Sequence, residues 1–241
     1  MLPASRERIE STLSGEDLVL DVGAWAKPFP RADWVLDLMP FESRGLYGHL
    51  GDGPERFSRE TWVQRDICDR DPWPFADGQF DFVICSHTLE DVRDPVWVCA
   101  EMERVADAGY IEVPSRLEEQ SVGVHGAWAG WSHHHWLVEL SPDRVEFVFK
   151  SGVLHGRPEV TLPAALARTL TAEERVQTLF WSGGLRARER VFVESGELDR
   201  YLADGIAGAR ERLEPRIQRA PRRTGLRRAL RRLREAGKGG S

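Results

Sequence analysis

The chain predicts an α/β fold built on a doubly wound, mostly parallel sheet, with a basic helical extension at its C-terminal end. Three observations carry that expectation. Leu18-Val19-Leu20-Asp21-Val22 is apolar and β-branched and stops at Gly23, the pattern of a strand buried on both faces of a parallel sheet. Trp34-Val35-Leu36-Asp37 repeats the pattern and ends on a carboxylate. Further apolar runs recur downstream at the spacing of strand and crossover units.

The elements follow in order. Ser5 to Leu13 reads as a short helix, and Ser14 to Asp17 as the turn into the first strand. AWAKPFPRAD, between the first two strands, is too short and proline-rich for a long crossover helix. Met39 to Ser58 is a long loop with GLYGHLGDG at its centre, and loops of that length tend to be functional. Trp62 to Ile67 reads as the third strand, Asp71 to Gly78 as a turn-rich connection, and Phe80 to Ser86 as the fourth strand. Asp94-Pro95 opens a helix to about Val105, with Asp at the cap and Pro at the first position. Gly109 to Pro114 is the fifth strand. Beyond it the pattern predicts a hairpin, Trp136–Leu140 with Arg144–Lys150, about Ser141-Pro142-Asp143. Helices are expected over 164–170, 172–179, 196–213 and 226–235, and a late strand over 189–194.

Composition narrows the class. The 241 residues are 41% hydrophobic, enough for one large α/β domain with a small appendage. No apolar run reaches the length of a membrane span, and the N-terminal segment lacks the apolar core of a signal peptide, so a cytoplasmic protein is expected. Cys68, Cys85 and Cys99 lie apart in apolar surroundings with no Cys-x-x-Cys spacing, which predicts reduced, packed thiols. The net charge of −6 conceals an asymmetry: residues 210–241 carry twelve basic side chains against three acids, leaving −15 on the rest.

Gly23 and Asp37 point to a ligand. Glycine lets a ligand approach the main chain at the end of the first strand. In open α/β sheets ligands bind beyond the carboxyl ends of the strands, where an acid commonly takes the hydroxyls of a ribose. The pair predicts a nucleoside-containing cofactor.

At these residues the sequence resembles the class I S-adenosylmethionine-dependent methyltransferases, particularly the type-11 group, over roughly Leu18 to Ser115. LVLDVG resembles the first motif, whose turn passes under the methionine part of the cofactor. Asp37 matches the acid that holds the ribose. Arg65-Asp66-Ile67 matches the segment that holds the adenine. DPWPFADGQFDFVICSHTLEDVRDP resembles the stretch through strand four, and GYIEVPS resembles strand five. The resemblance implies a Rossmann-like methyltransferase domain over 1–200, with an insertion or lid at about 116–185, and a basic helical extension over 201–241. It implies S-adenosyl-L-methionine as cofactor, held by Asp21, Gly23, Trp25, Asp37, Asp66, Ile67, Ser86 and His87. Two departures stand out: Trp25 occupies the place of the family's second glycine, and Asp91 the place of a second histidine.

His87, at the end of strand four, is the first candidate for a catalytic base, or for a group that orients cofactor and loop. The loop SVGVHGAWAGWSHHHW, 121–136, follows strand five, where this family places substrate-binding insertions. On an extended chain His133 and His135 share a face, and these are the further catalytic candidates. A metal site with Glu112 or Glu139 is conceivable there, but no metal is assigned. The expected function is in-line methyl transfer to a small molecule, sugar-containing or a secondary metabolite. Two alternatives stand beside it: a non-methylating binding or regulatory protein on the same scaffold, and a metal-assisted enzyme using the histidine loop. Leu226, Ala229, Leu230 and Leu233 recur at helical spacing among arginines, a pattern suited to an anionic surface, the acidic body or solvent. No motif for specific nucleic-acid recognition is present.

Overall fold

The computed structural model describes residues 1–46, 53–142 and 144–219. Residues 47–52 of the GLYGHLGDG loop, Asp143 of the hairpin turn, and the basic segment from 220 onward, with its expected helix over 226–235, lie outside the described residues.

Helix α1 (Pro3–Thr12) precedes β1 (Val19–Val22), β2 (Trp34–Asp37), β3 (Trp62–Gln64) and β4 (Phe82–Ser86). Helix α2 (Pro95–Val105) then leads into β5 (Ala108–Pro114). After α3 (Arg116–Glu119) come β6 (Trp136–Ser141) and β7 (Arg144–Phe149), then α4 (Ala164–Ala167), α5 (Ala172–Arg175), β8 (Val176–Ser182), β9 (Ala187–Glu189), α6 (Glu197–Gly205) and α7 (Ala209–Arg219). The central sheet has the order β3-β2-β1-β4-β5-β8. Its first five strands are parallel, and β8 runs antiparallel to β5. The order reverses between β1 and β4, so their C-terminal ends form the switch point at which such sheets bind ligands.

The strands form where both faces can be buried. All four residues of β1 are buried, and β4 is buried except at Ser86. One face packs Leu20, Val22, Val83 and Ile111 against Val98 and Met102 of α2 and against Val138, Val145 and Phe147 of the small β6-β7-β9 sheet. The other packs Val19, Val35 and Ile84 against Ile9 of α1 and against Phe29 and Phe57 of irregular segments.

The connections depart from helical crossovers. Among the described residues α2 is the only helix longer than one turn between successive parallel strands. Its cap is as the sequence predicts: Asp94 accepts from the Trp97 N–H, with Pro95 at the first position. The β1–β2 connection is a run of turns through Pro28 and Pro30. The β3–β4 connection carries Pro72 and Pro74 around Trp73, which buries its ring and donates its indole N–H to the Ile67 carbonyl at 3.0 Å. Arg104 of α2 ties this connection down through the Trp73 and Phe75 carbonyls. Proline denies these segments the backbone donors a helix needs, and buried aromatics fill the space.

The second half differs more. The helix expected over 172–179 is one turn followed by β8, whose Val176–Ser182 alternation pairs along the whole of β5. The Thr171–Glu174 capping box explains the helical reading, because it starts a helix that stops after one turn. The late strand lies at 187–189 instead of 189–194, and the helix expected over 196–213 is two helices separated at Gly208, whose φ is +68°. Tyr201 and Leu202 pack against Leu137, Val148 and Leu154, while Ile206, Ala209 and Leu213 pack against Leu162, Leu166 and Leu170. Arg212 and Arg216 both reach Glu174.

Trp73 replaces a crossover helix as the filling of one face. Trp73→Ala is expected to cost about 3–5 kcal/mol, as large-to-small changes at buried aromatics do. Urea denaturation at constant m-value checks this, and a loss below about 1 kcal/mol would show that the connection packs loosely.

Candidate active site

The turn after β1 is shaped by one contact. Gly23 adopts φ +70°, and a Cβ on it would lie 2.3 Å from the Thr88 side chain. Thr88 in turn donates its hydroxyl to the Gly23 carbonyl at 3.1 Å. Conformation and packing both require glycine here. Next to Thr88, His87 holds φ +55°, a left-handed conformation uncommon for a residue with a side chain and one that clusters at functional sites.

Over these ends lies a cavity of about 260 Å³, bounded by Asp21, Gly23, Phe29, Ser86 and His87, with Arg6 and Lys27 also contributing. Asp21 is buried and accepts the Phe29 N–H at 2.8 Å. Burial pushes its carboxyl up to about 7; the Phe29 N–H opposes the shift and the neighbouring Asp37 charge adds to it. Of the residues expected at the cofactor, Asp21, Gly23, Ser86 and His87 line this cavity; Trp25, Asp37, Asp66 and Ile67 do not. The Trp25 indole donates to Ser43, 2.6 Å from its carbonyl and 3.0 Å from its hydroxyl, and packs toward Phe41. The indole therefore leaves the turn at Gly23 open. Asp37 is buried and accepts the Trp25 and Met39 N–H groups, each at 2.8 Å. Asp66 accepts the Cys68 N–H and pairs with Arg93 at 2.5 Å, and Ile67 is buried.

These residues fit the methionine half of S-adenosylmethionine. The cradle at Gly23 is free of side chain, the Asp21 carboxyl lies inside it to receive an ammonium, and cationic side chains flank it for a carboxylate. On the nucleoside side, each Asp37 oxygen keeps a further lone pair beyond the N–H it accepts.

His87 is fixed at the cavity's far edge by two acids. Its Nε2 lies 3.1 Å from Glu112 Oε1, and its Nδ1 lies 3.5 Å from Glu90 Oε1. Burial alone would lower its pKa, but the two carboxylates outweigh it and raise the imidazole to about 9. His87 is therefore an imidazolium at neutral pH, hydrogen-bonded to Glu112 and within ion-pair distance of Glu90, which suits a positioning group. Glu112 also accepts the Tyr110 hydroxyl at 2.6 Å and the Leu2 N–H at 2.8 Å, and the Met1 amino nitrogen lies 2.9 Å from it. Burial would raise its carboxyl, yet His87, Tyr110 and Leu2 together hold it well below the usual range.

A second cavity, about 480 Å³, adjoins the first and shares Met1 and His87 with it. Glu90, Asp91, Glu118, Trp131, His133 and His134 are among its walls. The histidine loop is turned and not extended, with His134 N–H bonding back to the Trp131 carbonyl. The two rings that face one cavity are therefore His133 and His134, where an extended chain would pair His133 with His135. His135 is exposed and outside both cavities, and its N–H donates to the Glu90 carbonyl at 2.7 Å. His134 is held by Glu119, with Nδ1 2.7 Å from Oε1. The other Glu119 oxygen takes the Lys150 ammonium, itself bonded to the Trp131 carbonyl at 2.8 Å. Among the described residues no group of three or more His, Cys, Asp or Glu side chains is placed to hold a metal ion.

Sequence reasoning did not single out His134, Glu119 or Glu90 as site residues. One signal was present for the first two: lysine occurs three times in the chain, and Lys150 closes an apolar strand, a position that calls for a buried acid.

Residues 52–111 match the family model of the type-11 methyltransferase domain. No curated protein sequence matches the chain. Solved structures similar to it include the YcgJ protein of Bacillus subtilis, with 19% identity over 46% of this chain and 51% of that one at TM-score 0.35. An S-adenosylmethionine-dependent methyltransferase of Mesorhizobium loti shares 15% identity over 60% of this chain and 62% of its own, also at TM-score 0.35. Another, from Aquifex aeolicus, shares 17% identity over 46% and 64% at TM-score 0.33. The chain thus spans about half to two thirds of the length of these structures. The sheet order is that of a doubly wound α/β body, and the segment 52–111 within it is similar to a methyltransferase domain. No helix among the described residues is long and apolar enough to cross a membrane.

Asp21 gives the site a measurable pH signature. Its folded-state pKa is raised, so its contribution to stability is present at low pH and lost as pH rises from about 4 through about 7. Asp21→Asn keeps an acceptor for the Phe29 N–H and has no charge to bury. The variant is expected to gain on the wild type as pH rises, with a melting-temperature gap that opens between pH 4.5 and 8. A gap independent of pH would refute the buried, titrating carboxyl.

Proposed function

We propose that the chain is an S-adenosylmethionine-dependent methyltransferase acting on a small molecule. The observation that carries this reading is the pair of adjoining cavities that meet at His87, one over the glycine turn of β1 and one under the histidine loop. Their volumes suit a cofactor fragment and a small acceptor. Bound S-adenosylmethionine supplies an electrophilic methyl on a sulfonium; the residues of the chain do the rest. Gly23 admits the cofactor to the main chain, Asp21 receives its ammonium, and Asp37 faces its ribose. His87, locked between Glu90 and Glu112, sets the border between the two cavities. His134, which lines the second cavity, is assigned as the base: with Nδ1 held by the Glu119 carboxylate, Nε2 is the nitrogen left to accept a proton. Alignment of the two reactants across that border is the main demand of an in-line displacement.

The alternative of a non-methylating scaffold rested on Trp25, and its indole is bonded to Ser43 away from the glycine turn. Calorimetry with S-adenosylmethionine and S-adenosylhomocysteine tests the reading. One-to-one binding is expected, weakened at least tenfold in Gly23→Ala, since its methyl would collide with Thr88. Absence of binding to the folded wild type would overturn it. With an acceptor in hand, His134→Ala is expected to slow transfer by about 10²–10⁴, the range for a lost general base, with S-adenosylhomocysteine affinity unchanged.

A further inference from the structure

The second cavity carries more charge than its own cations balance. Four carboxylates face it, from Glu90, Asp91, Glu112 and Glu118, against the cations of His87, Arg175 and the Met1 amino group. Glu118 pairs with Arg175. Glu112 is satisfied by His87, Tyr110, Leu2 and Met1. Asp91 stands exposed at the rim.

Glu90 is different. It is fully buried, and neither of its carboxylate oxygens has a hydrogen-bond partner. Its closest cation, His87 Nδ1, is 3.5 Å from Oε1, and that imidazolium is shared with Glu112. The Glu90 main chain is anchored as well, its carbonyl taking the N–H groups of His135 at 2.7 Å and Trp136 at 3.1 Å. A buried carboxylate without hydrogen bonds is costly, and such groups mark places where a partner is supplied from outside. Trp131 and His133 line the same cavity, and an indole face attracts a cation. With no three-ligand metal set among the described residues, an organic ammonium is the cation that this geometry suits.

Resting on the methyltransferase reading, we propose that the acceptor is a small amine, held as its ammonium against Glu90 between Trp131 and His133, and methylated on nitrogen. The ammonium passes one proton to His134 Nε2. The freed nitrogen lone pair forms the bond to the methyl carbon, and the carbon–sulfur bond breaks with its electron pair staying on sulfur. The acceptor side thus selects by charge first and by the flat apolar wall second.

The test uses three compounds of one shape and different charge: phenethylamine, 2-phenylethanol and phenylacetate, titrated calorimetrically into the full chain at pH 7.5. The amine is expected to bind at least tenfold more tightly than the alcohol, as a charge-assisted hydrogen bond requires, with the acid weakest. Glu90→Gln, isosteric and uncharged, is expected to reduce the amine-over-alcohol ratio below about threefold. Absence of saturable amine binding to the wild type, alcohol or acid binding equal to that of the amine, or an unchanged ratio in Glu90→Gln overturns the proposal. The wild-type comparison decides the matter even if the variant does not fold. S-adenosylhomocysteine is titrated in the same preparations. Its failure to bind while the amine preference persists sinks the methyltransferase reading and leaves the cation site; the reverse sinks the cation site alone.

Discussion

Much of this structure depends on the buried carboxylate of Glu112. It sits near the C-terminal end of β5, beside the switch point of the sheet, and takes donors from three parts of the fold at once: the Leu2 N–H leading into α1, the Tyr110 hydroxyl on its own strand, and the His87 ring beyond β4. A charge this deep is stable only when its lone pairs are met. Meeting them fixes the entry of α1 and holds His87 in a conformation that a side chain ordinarily avoids. The border between the two cavities is therefore set by the electrostatics of one strand end.

A second buried charge does the same for the histidine loop. Glu119 and Lys150 meet out of reach of solvent, and together they collect His134 and the Trp131 carbonyl. Gly130 lets the loop lie this close: its φ is +60°, and a Cβ there would meet Glu119 main-chain atoms at 2.7 Å. Buried ion pairs contribute little net stability compared with apolar packing, but they discriminate sharply between geometries. A loop with four imidazoles and three indoles would otherwise have many ways to collapse.

The sheet was legible because its strands are buried on both faces, and that condition writes itself into consecutive residues, as in Val19–Val22 and Phe82–Ser86. Gly23 was legible for a similar reason, since one position needs a conformation that one residue type supplies. The β8 strand was not, because the capping box at Thr171 gives a true local signal for a helix that tertiary pairing ends after one turn. The acceptor side was the least legible part. Which of three consecutive histidines faces a cavity is decided by a turn at Trp131–His134, and the turn is decided by Glu119 and Lys150 from elsewhere in the chain. Glu90 could be seen in the sequence, but nothing there shows that its oxygens lack partners.

The antiparallel strand β8 has an architectural consequence. Because Pro114 at the end of β5 pairs with Val176 at the start of β8, everything between them leaves and re-enters the sheet at a single rung. The histidine loop, the β6–β7 hairpin and the short helices all hang from that rung, while the turn at Gly23 lies on strands that never enter the excursion. The second cavity is thus built from both stretches: Glu118, Trp131, His133, His134 and Arg175 come from the excursion, and His87, Glu90, Asp91 and Glu112 from the sheet before it. Substitution, lengthening or exchange within that excursion can reshape one wall of the second cavity while the strand pairing of the parallel sheet stays as it is.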